Sequence, residues 1–312
     1  MPSPPPPRAR ALRVFFAHLG TLVSIVVYVV IAGRAGWSAD GVTRGVWTAL
    51  ALQSAYLSLA WRLGEHKQLD VVLWMLYAVG AAAALAGIAP VLGAYQRYFG
   101  ALLFGSFAIA AVVPLLLGRD PFTVWHAVRQ TPRWQHGTPA FAATTRVLAG
   151  FWGAIFLAAA LLCAARPADP LFTLVYPNLL VVVGVSASRW LPPLWFKRFP
   201  PALPDRAEPL IMGMPLVFDA RAAQDARALI QFRVSGEQAG DYFVRVAGGR
   251  CESFAGSTDG PDLTLHVPDD VWVRIVSGEL DATRAIMERR MAVEGEYGLL
   301  AKLREWFPST GA

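Results

Sequence analysis

The fold of the C-terminal third is decided by the stretch from Pro261 to Phe307, which reads PDLTLHVPDDVWVRIVSGELDATRAIMERRMAVEGEYGLLAKLREWF. Alternating apolar residues at its start predict a strand. Asp269 and Asp270 then mark the start of a helix, and Asp281 is a typical cap for a second, shorter helix. After one more strand, Gly295 precedes a final amphipathic helix. The pattern predicts a small domain that mixes strands and helices.

Further strands precede this stretch. Ile230, Phe232 and Val234 alternate with polar residues, which predicts one buried face. A second alternating run follows over 242–246, and Gly248-Gly249 predicts a tight hairpin turn into a third strand over 250–255. The predicted fold class is therefore a soluble α+β domain with a mostly antiparallel sheet covered by helices.

The composition of the chain differs sharply between its two parts. Apolar residues make up 55% of the 312 residues and charged residues 16%, which is too few charges for an ordinary soluble protein. Residues 1–215 hold 17 basic and 7 acidic side chains, whereas residues 216–312 hold 11 and 15. The basic excess lies in the apolar part and follows no soluble face, so we expect no nucleic-acid partner.

Six apolar segments are long enough to cross a bilayer. We therefore predict an all-α polytopic membrane bundle over 14–189, followed by the soluble domain in a multi-domain chain. The predicted spans are Val14–Ile31, Val46–Leu63, Val71–Ala89, Ala101–Leu117, Val147–Ala165 and Leu171–Ala187.

The loops between these segments predict the orientation. Twelve basic residues fall on one side of the six spans and four on the other. Since basic loops stay inside, the N-terminus and the C-terminal domain are expected to be cytoplasmic, in a bacterial-type inner membrane or a plasma membrane. The two cysteines lie in different regions and fit a reducing compartment.

Three segments outside the spans carry their own signals. The Pro-rich tail over 1–13 is expected to be disordered. The loop over about 120–136 predicts an interfacial helix capped by Asp120, either resting on the membrane or docking the soluble domain or a lipid head group. Repeated prolines over 190–215 predict an extended, fairly stiff linker.

The C-terminal region resembles the sterol carrier protein-2 domain family over about Phe218 to Phe307. The resemblance lies in IQFRVSG, AGGRCESFAG, PDLTLHVPDDVWVRIVSGELDATRAIM and VEGEYGLLAKLREWF. Two departures are present: Arg289-Arg290 stand where the family usually has a glycine, and Glu296 stands where Asp is common. The resemblance implies a domain over 216–307 with a curved sheet and helices around a hydrophobic tunnel that accepts fatty acyl chains, sterols or other lipids.

A lipid or another hydrophobic small molecule is therefore the expected partner, together with the membrane. The same apolar side chains also suit an ordinary core, because a domain of this size needs most of its apolar area for folding. The candidate tunnel residues are Phe232, Val244, Trp272, Ile275, Ile286, Met287, Met291, Leu299, Leu300, Leu303 and Trp306.

The predicted spans contain few residues that indicate transport or catalysis. Charged residues are nearly absent from them, and an intramembrane charge is the usual mark of a transport path. Pro114 and the Tyr176-Pro177-Asn178 run are typical of kinks. Such kinks serve helix packing or form a broken-helix substrate site, and both interpretations stay open.

No catalytic motif was found in the sequence. Gly-X-Ser-X-Gly, the phosphate-binding loop and His-Glu-X-X-His are missing, and the five histidines lack ligand spacing. We expect no enzyme activity in the soluble domain, no cofactor and no metal. Three functions follow: a membrane-anchored lipid-binding protein, a transporter or lipid-modifying enzyme with a substrate-delivery domain, or an interaction protein with a filled cavity.

Overall fold

In the computed structural model, which describes residues 22–64 and 67–307, the chain forms two units. A helical unit lies within Met1–Gln130 and Thr144–Phe199, and a mixed unit lies within Thr131–Ala143 and Pro200–Ala312. The predicted order, a helical N-terminal region followed by a C-terminal sheet with helices, is confirmed.

Eight α-helices are described in the first two thirds of the chain, and a π-helical turn over Leu171–Val175 leads into the seventh. Residues that precede the first of these helices lie outside the described part. The helices are α1 (Leu22–Arg34), α2 (Ala39–Arg62), α3 (Gln68–Leu85), α4 (Ala89–Leu116), α5 (Thr123–Gln130), α6 (Pro139–Ala165), α7 (Tyr176–Ala187) and α8 (Leu191–Arg198).

Three helices, α3, α4 and α6, are long and apolar enough to cross a membrane within the described residues. A fourth span results if the π-helical turn and α7 are joined to α8 across a bend of 60°. Helix α2 has 24 residues but carries Arg44, Thr48 and Gln53, which lower its hydropathy. The first predicted span begins outside the described residues, and the count of six stays a prediction.

The loop that was expected to form an interfacial helix folds in two short pieces. Helix α5 begins at Thr123, three residues after the predicted cap Asp120, and a 3-10 turn covers Arg133–Gln135. Phe122 is buried in the apolar cluster of the helical unit, whereas Trp125 lies under the Arg129 guanidinium at 3.7 Å from its ring centre. The helix is therefore shorter than predicted, and Phe122, which precedes it, packs against other helices.

The C-terminal sheet has five strands in the order β3-β2-β1-β4-β5. Strand β1 pairs antiparallel with β2 and parallel with β4, and the two outer pairings are antiparallel. The strands are β1 (Ala228–Ser235), β2 (Gly240–Ala247), β3 (Arg250–Ala255), β4 (Leu263–Pro268) and β5 (Ala292–Gly295). The sheet is mixed but mostly antiparallel, as predicted.

In chain order, short helices precede, interrupt and follow the strands of this unit. Helices α11 and α12 lie between β4 and β5, and Asp281 caps α12 by accepting hydrogen bonds from the backbone N–H groups of Thr283 and Arg284. Both predicted helix starts are thus confirmed. The helices of this unit are α9 (Ala207–Met212), α10 (Ala220–Ala223), α11 (Asp269–Val276), α12 (Ala282–Met287) and α13 (Gly298–Trp306).

The prediction of an extended segment over 190–215 is wrong. The segment contains α8, α9 and a 3-10 turn over Met214–Leu216. Pro192 and Pro193 fall in the first turn of α8, where backbone N–H groups have no partner inside the helix. Proline at that position costs no helical hydrogen bond, so the prolines start these helices and do not prevent them.

Candidate functional site

One apolar cluster fills the C-terminal unit, and most of the predicted tunnel residues belong to it. Strands β1 and β2 contribute Phe232 and Val244, whose side chains are fully buried. Trp272 on α11 lies beside Phe232, with ring centres 5.0 Å apart and planes crossing at 67°. This edge-to-face arrangement is a favourable aromatic geometry, and it joins α11 to the sheet.

The final helix contributes a second side of the cluster. Leu299 and Trp306 are buried, whereas Leu300 and Leu303 on the same helix are half-buried. The end of this helix is fixed by a hydrogen bond from the Asp219 N–H to the Trp306 carbonyl at 2.8 Å. Met291 is also buried, and Ile275 and Ile286 pack against the cluster from its edge.

Met287 does not belong to this group. Its side chain is 73% exposed, although the sequence interpretation placed it in the tunnel. Ala285 on the same short helix is fully buried, and a residue two positions further along a helix faces away from it. The structure therefore separates Met287 from the other predicted site residues.

Sequence reasoning missed three members of the cluster that precede the predicted domain. Ala207 and Ile211 on α9 are fully buried, and Met214 in the following turn is nearly so. Helix α9 packs on α11 and on strands β2 and β3. The short apolar run from Ala207 to Met212 was the available signal, but the neighbouring prolines directed it to the linker.

The side-chain amide of Gln231 on β1 is buried beside the cluster. Gln231 was expected to alternate outward, yet it is only 1% exposed. Its Nε2 donates to the Tyr242 carbonyl at 2.9 Å, and its Oε1 accepts from the Thr258 N–H at 2.9 Å. Both hydrogen-bonding groups of the amide therefore have partners, and the bond from Thr258 holds the loop after β3 against the sheet. These bonds explain why a polar residue is tolerated at this buried position.

The turn after α12 contains the residues in which this sequence departs from the resembled family. Arg289 has a φ of 59°, a left-handed conformation that glycine adopts without cost. The Arg289 N–H donates to the Ile286 carbonyl and the Arg290 N–H to the Ala285 carbonyl, so this turn ends the helix. A glycine at position 289 is what the backbone geometry favours.

The thiol of Cys251 on β3 is half-buried. Burial, helped by the nearby Glu252 charge, raises the pKa of the Cys251 thiol to about 12, so this thiol stays neutral near neutral pH. Among residues 22–64 and 67–307, no group of three His, Cys, Asp or Glu side chains is placed to hold a metal ion.

The helical unit contains a chain of buried polar groups that the sequence did not reveal. Ser24 donates to Gln53 Oε1 at 2.9 Å, and Gln53 Nε2 donates to the Asp70 carbonyl at 3.1 Å. Tyr56 donates to the Asp70 carboxylate at 3.3 Å. Asp70 is fully buried in α3, whose start at Gln68 lies before the predicted span and so includes this charge.

The residues that suggested a broken-helix site are arranged differently. Asn178 is exposed and its amide donates to the Leu174 carbonyl of the preceding turn at 2.6 Å, so it bonds its own helix. In α4 the non-helical backbone lies at Tyr98 and not at Pro114. A groove of about 510 Å³ lies instead along α3 and α4, with an apolar lining that includes Val72, Leu76 and Val91.

Comparison with known proteins identifies the C-terminal segment. Residues 219–308 match the sequence model of the SCP-2 sterol transfer family. The predicted resemblance is therefore supported over this segment, and the chain carries a C-terminal SCP-2 domain. No curated protein matched the chain.

Solved structures give similar proteins at low identity. The NMR structure of palmitated SCP2L2 from Aedes aegypti is 19% identical, covering 31% of this chain and 86% of that chain with a TM-score of 0.27. The apo sterol carrier protein 2 of Yarrowia lipolytica is 18% identical, covering 28% and 76% with a TM-score of 0.25. At these scores the likenesses add nothing to the family match.

Proposed function

We propose that the chain is a membrane-anchored lipid-binding protein. Its C-terminal domain holds a fatty acyl, sterol-like or other lipid among apolar side chains and transfers or presents it at the bilayer. The match of residues 219–308 to the SCP-2 sterol transfer family carries this proposal. Burial of apolar ligand surface supplies the binding free energy, at roughly 25 cal/mol per Å² removed from water.

The helical unit supplies the membrane anchor in this proposal. Three or four of its described helices have the length and composition of spans, and many of its described large apolar side chains face outward. An anchored domain meets its lipid at a high local concentration. The domain acts without catalysis, and its side of the membrane is the cytoplasmic one, as the distribution of basic residues favours.

Lipid binding is tested with the purified full chain in an amphipathic polymer free of added lipid. We expect the chain to retain lipid through purification and to take up a fluorescent fatty acid. Leu300→Trp fills space at a half-buried cluster position and should abolish uptake, while Leu157→Trp at an exposed position of α6 should not. A folded wild-type chain that binds no lipid would contradict the proposal.

The same variants separate the interaction-module interpretation from lipid binding. If the cluster is a completely filled core, Leu300→Trp lowers stability by about 1–3 kcal/mol through overpacking, and no ligand is displaced. If it is a lipid site, ligand uptake falls and the free energy of unfolding changes little.

The orientation is tested by labelling. A cysteine placed at the exposed position Glu237 in the turn after β1 should react with a membrane-impermeant thiol reagent only in inverted vesicles. Labelling in right-side-out vesicles would contradict the proposed orientation and would leave the proposal of lipid binding unchanged.

A second function is favoured by the buried chain of polar groups around Asp70. A buried carboxylate inside an apolar helical unit is costly, and such groups often mark transport or reaction sites. In this case the chain is an integral-membrane transporter or lipid-modifying enzyme, and the C-terminal domain delivers its substrate. Asp70→Asn should then stop movement of a fluorescent fatty acid across proteoliposomes while lipid uptake by the domain survives.

A further inference from the structure

The indole N–H of Trp272 is buried without a hydrogen-bond partner among the residues that the structure describes. The residue is 9% exposed and lies in the apolar cluster, where its ring packs edge-to-face on Phe232. An unpaired buried donor lowers the stability of the folded state, because the group bonded water in the unfolded chain. Phenylalanine would keep an aromatic ring at this position without this cost.

Gln231, the most deeply buried polar side chain of the domain, differs from Trp272 in its hydrogen bonds. The amide of Gln231 is buried at least as deeply, and both its nitrogen and its oxygen have partners. The hydroxyl of half-buried Ser253 also has a partner, whereas the buried Nε2 of His266 on β4 has no hydrogen bond to any described residue and lies 3.3 Å from Glu294 Oε1. The unpaired Trp272 N–H lies inside the apolar cluster, so an acceptor that is supplied from outside the chain would complete it.

The charges around this position limit what the acceptor can be. Among the described residues of the C-terminal unit the buried polar residues are Thr138, Gln231 and Thr264, and no Lys or Arg side chain is buried. A carboxylate that entered the cluster would have no buried cation to pair with, which makes its burial expensive. A carbonyl or hydroxyl oxygen carries no such cost.

We propose that Trp272 Nε1 donates a hydrogen bond to a neutral acceptor oxygen of the bound lipid. The ligand class is then a lipid whose ester or ketone carbonyl, hydroxyl or protonated carboxyl enters the apolar cluster while its hydrocarbon part contacts the surrounding side chains. This inference rests on the proposed lipid-binding function and adds to it the chemistry of the group that Trp272 recognises.

The test compares two probes on two proteins, with the full chain in an amphipathic polymer free of added lipid. Methyl palmitate carries a carbonyl, and hexadecane has no acceptor; both are supplied from cyclodextrin and compete with a fluorescent fatty acid. The ratio of the two affinities is the measured quantity, because a change in packing affects both probes alike. Trp272→Phe keeps an aromatic ring and removes the donor.

We expect the wild-type chain to prefer methyl palmitate and Trp272→Phe to lose about fivefold to twentyfold of this preference. Trp195→Phe, at an exposed position of α8, should keep the wild-type preference. An unchanged preference in Trp272→Phe would show that Trp272 only packs. If wild-type binds neither probe nor palmitate, the proposed function itself is wrong.

Two further measurements cover a Trp272→Phe variant that does not fold and an acceptor that is charged. If Trp272→Phe does not fold, the infrared carbonyl stretch of isotope-labelled methyl palmitate on the wild-type chain replaces it. A shift to lower frequency supports the hydrogen bond, and a frequency typical of an apolar solvent overturns it. Tighter binding of ionised palmitate than of its methyl ester would show that the acceptor is charged and would overturn the neutral class.

Discussion

The two units of this chain place their apolar side chains in opposite ways. In the helical unit many large apolar residues point outward, including Leu22, Leu85 and Leu116. In the C-terminal unit the apolar residues gather in one cluster, and few large ones are exposed. Most of those that are exposed lie near its edges, such as Leu216 and Val217 before α10. The difference shows which solvent each unit suits.

Water favours the C-terminal arrangement, because burying apolar surface is the main favourable term in folding. A surface like that of the helical unit is stable in a medium as apolar as itself, which supports the proposed bilayer anchor. Several measurements test this difference between the two units. The predictions below run from the largest expected effect to the smallest.

The largest effect concerns where the C-terminal unit begins. The fragment 200–312 should fold in water without detergent, whereas the fragment 218–312 should not. The shorter fragment lacks Ala207, Ile211 and Met214, whose burial contributes about 4–6 kcal/mol, a large part of the stability of a small domain. Circular dichroism and guanidinium unfolding of both fragments measure this.

Equal stability of the two fragments would show that α9 is dispensable. Insolubility of the longer fragment without detergent would break the comparison itself, because the C-terminal unit would then also need an apolar medium. A fragment 207–312, which keeps the three residues and removes the segment before them, is the matched control.

The second prediction compares close packing in the two units through their glycines. Gly295 has a φ of 98°, and an added Cβ would lie 2.3 Å from the Asp262 carbonyl oxygen, which is backbone and cannot move aside. Gly295→Ala should therefore destabilise by roughly 3 kcal/mol or more. At Gly80 in α3 the nearest atoms belong to the Tyr95 ring and the Val46 side chain, so Gly80→Ala should cost about 1–2 kcal/mol.

Hydrogen–deuterium exchange of the full chain reports the stability of each unit separately. Gly105→Ala in α4 is the control, since nothing lies within 4 Å of its added Cβ and alanine favours the helix by up to about 1 kcal/mol. A smaller loss for Gly295→Ala than for Gly80→Ala would show that the backbone near β5 adjusts more easily than its geometry indicates.

The third prediction compares the two fully buried amides, Gln231 and Gln53. Gln231→Ala leaves the Thr258 N–H without its acceptor and removes the side-chain bond to the Tyr242 carbonyl, and it should cost about 2–3 kcal/mol. Gln53→Ala removes the link between Ser24 and Asp70, and hydrogen bonds between membrane helices contribute only about 0.6 kcal/mol on average. Region-resolved exchange measures both losses, and a larger loss at Gln53 would contradict the proposed membrane setting.

Much of the C-terminal fold was predictable because its signals are local. Gly248 and Gly249 both have positive φ values, as the predicted hairpin turn requires, and strand β3 has the predicted bounds. Asp281 caps α12 as expected. In each case neighbouring residues determine the backbone, so the sequence pattern contains the necessary information.

The features that sequence reasoning missed depend on contacts between distant segments. Helix α9 joins the cluster only because the sheet offers it an apolar surface, and prolines nearby mask this role. Met287 faces out because the short helix α12 buries Ala285. Asp70 lies just before the predicted span, because the sequence does not show that its partners Gln53 and Tyr56 on another helix would allow its burial. Apolar character alone does not reveal these arrangements.

The smallest predicted effect is a gain in stability at the turn after α12. Arg289 adopts a left-handed backbone conformation that costs an L-residue with a side chain about 1 kcal/mol relative to glycine. Arg289→Gly should therefore raise the free energy of unfolding of the C-terminal unit by up to about 1 kcal/mol. Urea unfolding of the 200–312 fragment measures the change.

Arg290→Gly is the matched control for this gain. Arg290 has no positive φ and lies 3.9 Å from Glu288, so glycine there should lower stability slightly by adding freedom to the unfolded chain. Equal effects of the two substitutions would show that charge, and not backbone conformation, governs this turn. A gain at 289 alone would show that the arginine lowers stability, which leaves a functional role at this turn to be tested by lipid uptake of Arg289→Gly in the full chain.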